Sequence, residues 1–203
     1  MSRAAPTTLS TTQPGRTRPP WGSRLRCAVV LTAAALAGAT VTSACTRSDG
    51  PTTAALPDGG SALVAQVAEV TDGDTVTLSW PGLPPERARL IGLDTPETVK
   101  PNSPVECYGP EASARTKALL PAGTEVLVQR DVEARDRYGR LLVYLWRSSD
   151  NMFVNRALLA DGYGTVLSIA PNTTRRAQMA EAERSARTAG RGLWGACAAP
   201  GGR

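Results

Sequence analysis

The sequence predicts an α+β domain, mainly β, in which five strands form a small barrel accompanied by about three helices. Three observations carry this. Short runs of alternating apolar residues recur between clusters of Gly, Pro, Asp and Asn, the first two runs flank an Asp-Gly turn, and helical periodicity enters only after the third and fifth runs. A length of 203 residues with 41% hydrophobic content allows one such domain plus appendages.

The first strand opens at Ala62, and Leu63, Val64, Val67 and Val70 lead into Thr71-Asp72-Gly73. Residues 74–80 then alternate Thr75, Thr77 and Ser79 against Val76, Leu78 and Trp80, so the two runs form a hairpin. Residues 81–85, with their prolines, make a turn, and 87–93 the third strand. On that strand Arg89, Ile91 and Leu93 are expected on one face and Ala88, Leu90 and Gly92 on the other. Residues 98–108 are polar, include Pro101 and Pro104, and read as a loop beside the preceding turn, a position from which loops gate substrates.

A helix starts at Gly109-Pro110-Glu111, where proline is tolerated in the first turn. Ala112, Thr116, Leu119 and Leu120 share its inner face, and Pro121-Ala122-Gly123 ends it. Residues 124–130 form the fourth strand with Val126 and Val128 inward, and 140–146 the fifth. Residues 151–159 make a short helix that groups Val154, Ala157 and Leu158 and closes at Gly162. Asn172 is placed to cap a last helix whose stripe is Met179, Ala182, Ala186 and Ala189 and which stops at Gly190. Strands and helices in this order suit an OB-type barrel.

Chemistry concentrates at two turns and two arginines. Asp72-Gly73-Asp74-Thr75 and Asp94-Thr95-Pro96-Glu97 place oxygen donors at strand ends, which a curved sheet can bring together around a hard cation such as calcium. The same residues are also ordinary turn formers, so the turns alone leave both readings open. Arg89, in line with apolar neighbours, points into an interior or a cleft and needs an anion, either a nearby carboxylate or a substrate phosphate. Arg140 follows the turn-like Asp136-Arg137-Tyr138-Gly139. Arginines, acids and a complete absence of histidine suit metal-assisted phosphodiester chemistry and exclude histidine-based hydrolysis.

Five segments in order, DGDTV at 72–76, RLIGLDTPET at 89–98, YGPEASARTK at 108–117, DRYGR at 136–140 and Val154-Asn155 with Ala157-Leu158, resemble the staphylococcal nuclease family over about 62–194. The resemblance implies an OB-fold and a calcium-dependent, sugar-nonspecific nuclease acting on DNA and RNA to leave 3'-phosphates, working as a monomer. It implies calcium binding through the Asp74 and Asp94 carboxylates and the Thr95 backbone carbonyl. It further implies Glu97 as the residue that positions and deprotonates the attacking water, and Arg89 and Arg140 as the phosphate clamp. Arg137 and Tyr138 match positions that contact a terminal phosphate, although Tyr138 reads equally as a turn aromatic covering the barrel. Asp72 is expected to support the turn, and Asn155 and Glu183 to make buried structural contacts.

The sequence departs from the family in two places. Residues 165–171 read TVLSIAP, without the tyrosines that stack on the base in the best-known member, and stacking contributes about 1–3 kcal/mol per base. The loop 98–108 holds a single lysine, Lys100, so a modest salt dependence is expected. The competing class is a catalytically weak OB-fold module that holds nucleic acid or protein at the cell surface, and retention of Arg89, Glu97, Arg140 and both aspartates argues against it.

The N-terminal region reads as an export signal over 1–44: an arginine-bearing, acid-free start, then an apolar run of about fifteen residues, shorter than the roughly 20 a stable membrane span needs. Cys45 after Val41-Thr42-Ser43-Ala44 fits lipidation and membrane attachment, with plain secretion as the alternative. Residues 45–61 read as a tether, 62–197 as the domain and 198–203 as a tail. The net charge of +5 comes from Arg3, Arg16, Arg18, Arg24 and Arg26, all before Cys45, so the mature domain is balanced and its nucleic-acid binding must be local. Cys107 and Cys197, the domain's two cysteines, read as one disulfide in an exported chain; a Cys/Cys metal site would lack further ligands.

Overall fold

A computed structural model describes residues 50–98 and 105–197. The predicted signal, Cys45, Lys100 and the tail lie outside the described residues. Among the described residues no helix is long and apolar enough to cross a membrane.

The barrel expected from the sequence is present. Strands β2 (Ser61–Asp72), β3 (Thr75–Trp80), β4 (Leu83–Leu90), β7 (Leu141–Arg147) and β6 (Glu125–Arg135) neighbour one another in that order, and β6 returns to pair with β2. All barrel pairings are antiparallel except β4 with β7. Closure removes the free edges that an open sheet of this size would expose. Val67, Val76, Leu78, Ala88, Leu90, Val126, Val143 and Leu145 fill the interior and are almost wholly inaccessible. Helices α1 (Gly109–Leu119), α2 (Val154–Ala160) and α3 (Arg176–Thr188) accompany it, with a single turn, α4 (Leu193–Ala196), at the end.

Several local expectations need correction. Residues read as a tether include β1 (Thr53–Ala55), which pairs with the start of β2 through a turn at 56–60. Leu56 joins Ala62, Leu127, Tyr144 and Trp146 in a second apolar cluster, which gives this hairpin a reason to dock that its polar composition concealed. The third strand begins at Leu83 rather than after the prolines. It breaks at Ile91, where Gly92 takes φ +83°, and resumes as β5 (Gly92–Asp94) in a separate ribbon with β9 (Thr165–Leu167). That break reverses the alternation: Leu93 is buried with Ala88 and Leu90, while Arg89 lies on the opposite, cleft side.

Asn172 does not cap α3, whose first residue follows Arg175. Its side chain instead mimics a strand partner, accepting from Glu133 N at 2.8 Å and donating to Glu133 O at 2.9 Å. Ala189 is exposed, whereas Met179, Ala182 and Ala186 form the buried stripe. Glu183 accepts from Val166 N at 3.2 Å and so joins α3 to β9. A strand pair, β8 (Met152–Phe153) with β7, precedes α2.

Asn155 is fully buried at the start of α2. Its Oδ1 accepts from Leu145 N (2.9 Å), and its Nδ2 donates to Ile91 O (3.0 Å) and Val143 O (3.2 Å). It thereby fixes the strand that leaves the β4 break against β7. Asn155→Ala leaves the Leu145 N–H buried and unpaired, and urea unfolding is expected to read a loss of about 3 kcal/mol.

Candidate active site

The Asp72-Gly73-Asp74 turn and the Asp94–Glu97 turn meet because glycine stands between the aspartates. A Cβ at Gly73 would lie 2.5 Å from Thr95 Oγ1, so any larger residue would force the two turns apart. Helix α1 supports the contact from behind: Thr116 Oγ1 donates to Gly73 O at 2.7 Å.

Asp74 is buried. Its Oδ2 accepts from Thr95 N at 3.2 Å and pairs with Arg89 Nη2 at 2.8 Å, while its Oδ1 accepts from Thr75 Oγ1 at 3.1 Å. Arg89 Nη2 also donates to Asp94 Oδ1 at 2.5 Å. One guanidinium therefore neutralises two carboxylates, one buried and one about half exposed. Burial pushes the Asp74 carboxyl above the ordinary carboxylate range, and Arg89 and the Thr95 N–H act against that without fully offsetting it. Of the two partners that Arg89 was expected to choose between, the carboxylates are the ones it holds here.

The oxygen donors fit a hard cation. Two carboxylates converge on one positive group, and Thr95 Oγ1 beside them is buried with no hydrogen-bond partner among the described residues. Among the described residues no cluster of three or more His, Cys, Asp or Glu is assembled, and Asp74 and Asp94 are the two carboxylates that Arg89 brings together. A calcium ion held by two carboxylates would complete its six to eight oxygens with waters and carbonyls.

Glu97 ends the second turn, half-buried. Its N–H donates to Glu106 Oε2 at 3.1 Å, and its carbonyl accepts from Glu106 N at 3.1 Å, so Glu106 brackets its backbone. Its side chain interacts with that of Asp72. Burial pushes Asp72 up, yet the bonds from Glu97 and from Thr98, whose Oγ1 donates at 2.7 Å, outweigh this and hold it below the ordinary value. Asp72 is thus the supporting residue the sequence indicated. Nothing in the sequence pattern marks Glu106, which lies across a loop from the residue it holds.

Arg140 stands beside β4 through the parallel register that sets Ala88 against Leu141 and Arg89 against Leu142. Two residues before Leu142, it projects from the same side of the sheet as Arg89. Asp136 orients it: Oδ2 accepts from Arg140 Nε at 2.7 Å and Oδ1 from Arg140 N at 3.0 Å. Burial raises the Asp136 carboxyl less than these bonds lower it, so it stays ionised opposite the guanidinium. The turn residue Asp136 could have been found as an acid four positions before an arginine.

Tyr138 does not cover the barrel. Its ring is 69% exposed at the tip of the β6–β7 hairpin, flanked by the guanidinium groups of Arg137 (4.8 Å) and Arg140 (5.6 Å), and its Oη accepts from Arg137 Nη2 at 2.6 Å. In the aromatic-free stretch, Leu167 and Ile169 are exposed. Cys107 and Cys197 form a disulfide that ties the end of the 98–108 loop to the residue after α4.

The family described as "Staphylococcal nuclease homologue" matches residues 87–196. A thermonuclease of Staphylococcus intermedius is 41% identical over 128 residues, covering 63% of this chain and 74% of that protein. A thermonuclease of Staphylococcus hyicus is 38% identical over 64% of this chain and 74% of its own length. An endonuclease of Bacillus subtilis (strain 168) is 37% identical over 61% of this chain and 57% of its own length.

Proposed function

The chain belongs to the staphylococcal nuclease family, and from that premise we propose that it is an exported, calcium-dependent nuclease hydrolysing DNA and RNA phosphodiesters to 3'-phosphate products. The observation that carries the reading is Arg89, held at 2.8 and 2.5 Å between Asp74 and Asp94 on the strand next to Arg140, with Glu97 on the adjoining turn.

In this reading Asp74, Asp94 and the Thr95 carbonyl hold calcium, which supplies Lewis-acid assistance at the phosphate when bound. Glu97 orients a water and takes its proton as the water oxygen bonds to phosphorus. The bond from phosphorus to the 5' oxygen breaks, that oxygen leaves with the electron pair and takes up a proton from solvent, and the phosphate remains on the 3' side. Arg89 and Arg140 hold the non-bridging oxygens as their charge grows, a contribution realised mainly in the transition state. Arg137 and Tyr138 contact a terminal phosphate.

The Cys107–Cys197 disulfide supports an oxidising compartment and so export. Cys45, as the lipidated first residue of the mature chain, would fix the enzyme to the outer face of the membrane. The domain acts as a monomer.

Cleavage of single-stranded DNA and of RNA by the purified domain, with calcium and with chelator, tests the proposal. Cutting of both that chelation abolishes and calcium restores is expected. Nucleic acid bound but uncut at every calcium concentration would replace the enzyme with a binding module.

A further inference from the structure

Arg87 precedes Arg89 by two residues on β4, and alternation places both on the side opposite the fully buried Ala88 and Leu90. The β4–β7 register starts at Ala88 with Leu141, and the residues just before each, Arg87 and Arg140, line the same cleft. Arg87, Tyr138, Gly139 and Arg140 line an open cleft of about 280 Å³.

The neighbouring cations are engaged. Arg135 pairs with Glu86 and donates to Gly139 O at 2.8 Å, Arg140 pairs with Asp136, and Arg137 donates to Tyr138 Oη. Arg87 is exposed, and among the described residues its guanidinium has no ion-pair or hydrogen-bond partner. Glu86, the acid adjacent in sequence, is taken by Arg135. On β3, Arg87 faces the neutral Thr77. The cleft therefore presents an uncompensated guanidinium next to one that is paired with Asp136.

Two residues along a strand span ~7 Å, comparable to the separation of successive phosphates on an extended single strand. We propose that Arg87 binds the phosphate adjacent to the one held by Arg89 and Arg140, forming a second phosphate subsite for a single-stranded polynucleotide along the outer side of β4. The inference rests on the proposed role of Arg89 and Arg140 as the clamp for the scissile phosphate. It also locates the local binding that a charge-balanced domain requires.

The test is equilibrium binding of a fluorescent oligothymidylate by anisotropy across a salt series with chelator present, so that the probe stays intact, and cleavage is assayed separately with calcium. Wild type is compared with Arg87→Ala, Arg87→Lys and the control Arg184→Ala, an exposed residue on α3 that alters net charge equally. For single strands each neutralised phosphate contributes about 0.7 to the slope of log affinity against log salt. Arg87→Ala is expected to flatten the slope by about that amount and weaken low-salt binding several-fold, while Arg87→Lys retains the slope and Arg184→Ala matches wild type. An unchanged slope in Arg87→Ala, or equal flattening in Arg184→Ala, overturns the subsite, as does failure of wild type to bind. The two readings fail separately: Arg87-dependent binding without cleavage removes the nuclease and leaves the subsite, whereas cleavage with an unchanged slope does the reverse.

Discussion

Arg89→Ala is expected to lower phosphodiester cleavage by about 10²- to 10³-fold, the usual effect of removing one preorganised group from developing charge. The fold-change mixes two effects that a second variant separates. Arg89 neutralises the buried Asp74 as well as serving as the proposed clamp, so alanine also leaves a buried carboxylate unpaired. Arg89→Lys keeps a positive charge near Asp74 and Asp94 but loses the planar fork that matches two phosphate oxygens. A lysine variant that unfolds like wild type yet cleaves at least ~10-fold more slowly locates the loss in phosphate geometry. Wild-type kcat in that variant would sink the clamp and leave Arg89 a structural counter-charge. Glu97→Gln is the matching control for the water: the amide keeps the size and shape of the side chain but accepts no proton, and kcat should fall by about 10²- to 10⁴-fold.

Much of this arrangement was legible in the chain because its causes are local. Asp-Gly fixes a tight turn wherever it falls between alternating strands, and α1, with its proline start and glycine stop, carries its own boundaries. Of the candidate site residues, Arg89 stood out because an arginine among apolar neighbours needs an anion, whereas the roles proposed for Asp74, Asp94, Glu97 and Arg140 came from the family resemblance. The faces of the third strand were misread because alternation assumes an unbroken strand, and Gly92 at φ +83° breaks it one residue before Leu93. Asn172 was misread because a helix cap and a strand-edge mimic use the same side-chain amide, and only the position of Glu133 across the fold decides between them. The β1 hairpin was hidden for a similar reason: Leu56 is a lone apolar residue in polar sequence, and the Tyr144 and Trp146 surface that receives it comes from a strand far along the chain.

Removing the disulfide should reach both stability and catalysis. Cys107 and Cys197 are separated by 90 residues, and in the chain-entropy model closing a loop of that length stabilises by about 4–5 kcal/mol. Cys107→Ser with Cys197→Ser is therefore expected to lower the urea midpoint substantially and to steepen the slope, because the unfolded chain without the cross-link exposes more surface, as would wild type under reducing agent. A midpoint within experimental error of the oxidised protein would exclude a stabilising role. Catalysis is reached through Glu106, which adjoins Cys107 and brackets the Glu97 backbone with two hydrogen bonds of 3.1 Å. Untethering Cys107 frees Glu106 to move, and Glu97 then loses orientation rather than chemistry. The expected signature, at a temperature where the variant is fully folded, is a fall in kcat with KM nearly unchanged, because Arg89 and Arg140, the proposed phosphate contacts, belong to the barrel. Glu106→Ala in the oxidised protein should reproduce the kcat fall without the full loss of stability, since it removes the bracket and keeps the cross-link. If kcat follows the disulfide but not Glu106, the coupling does not run through Glu106, and the bracket is packing only.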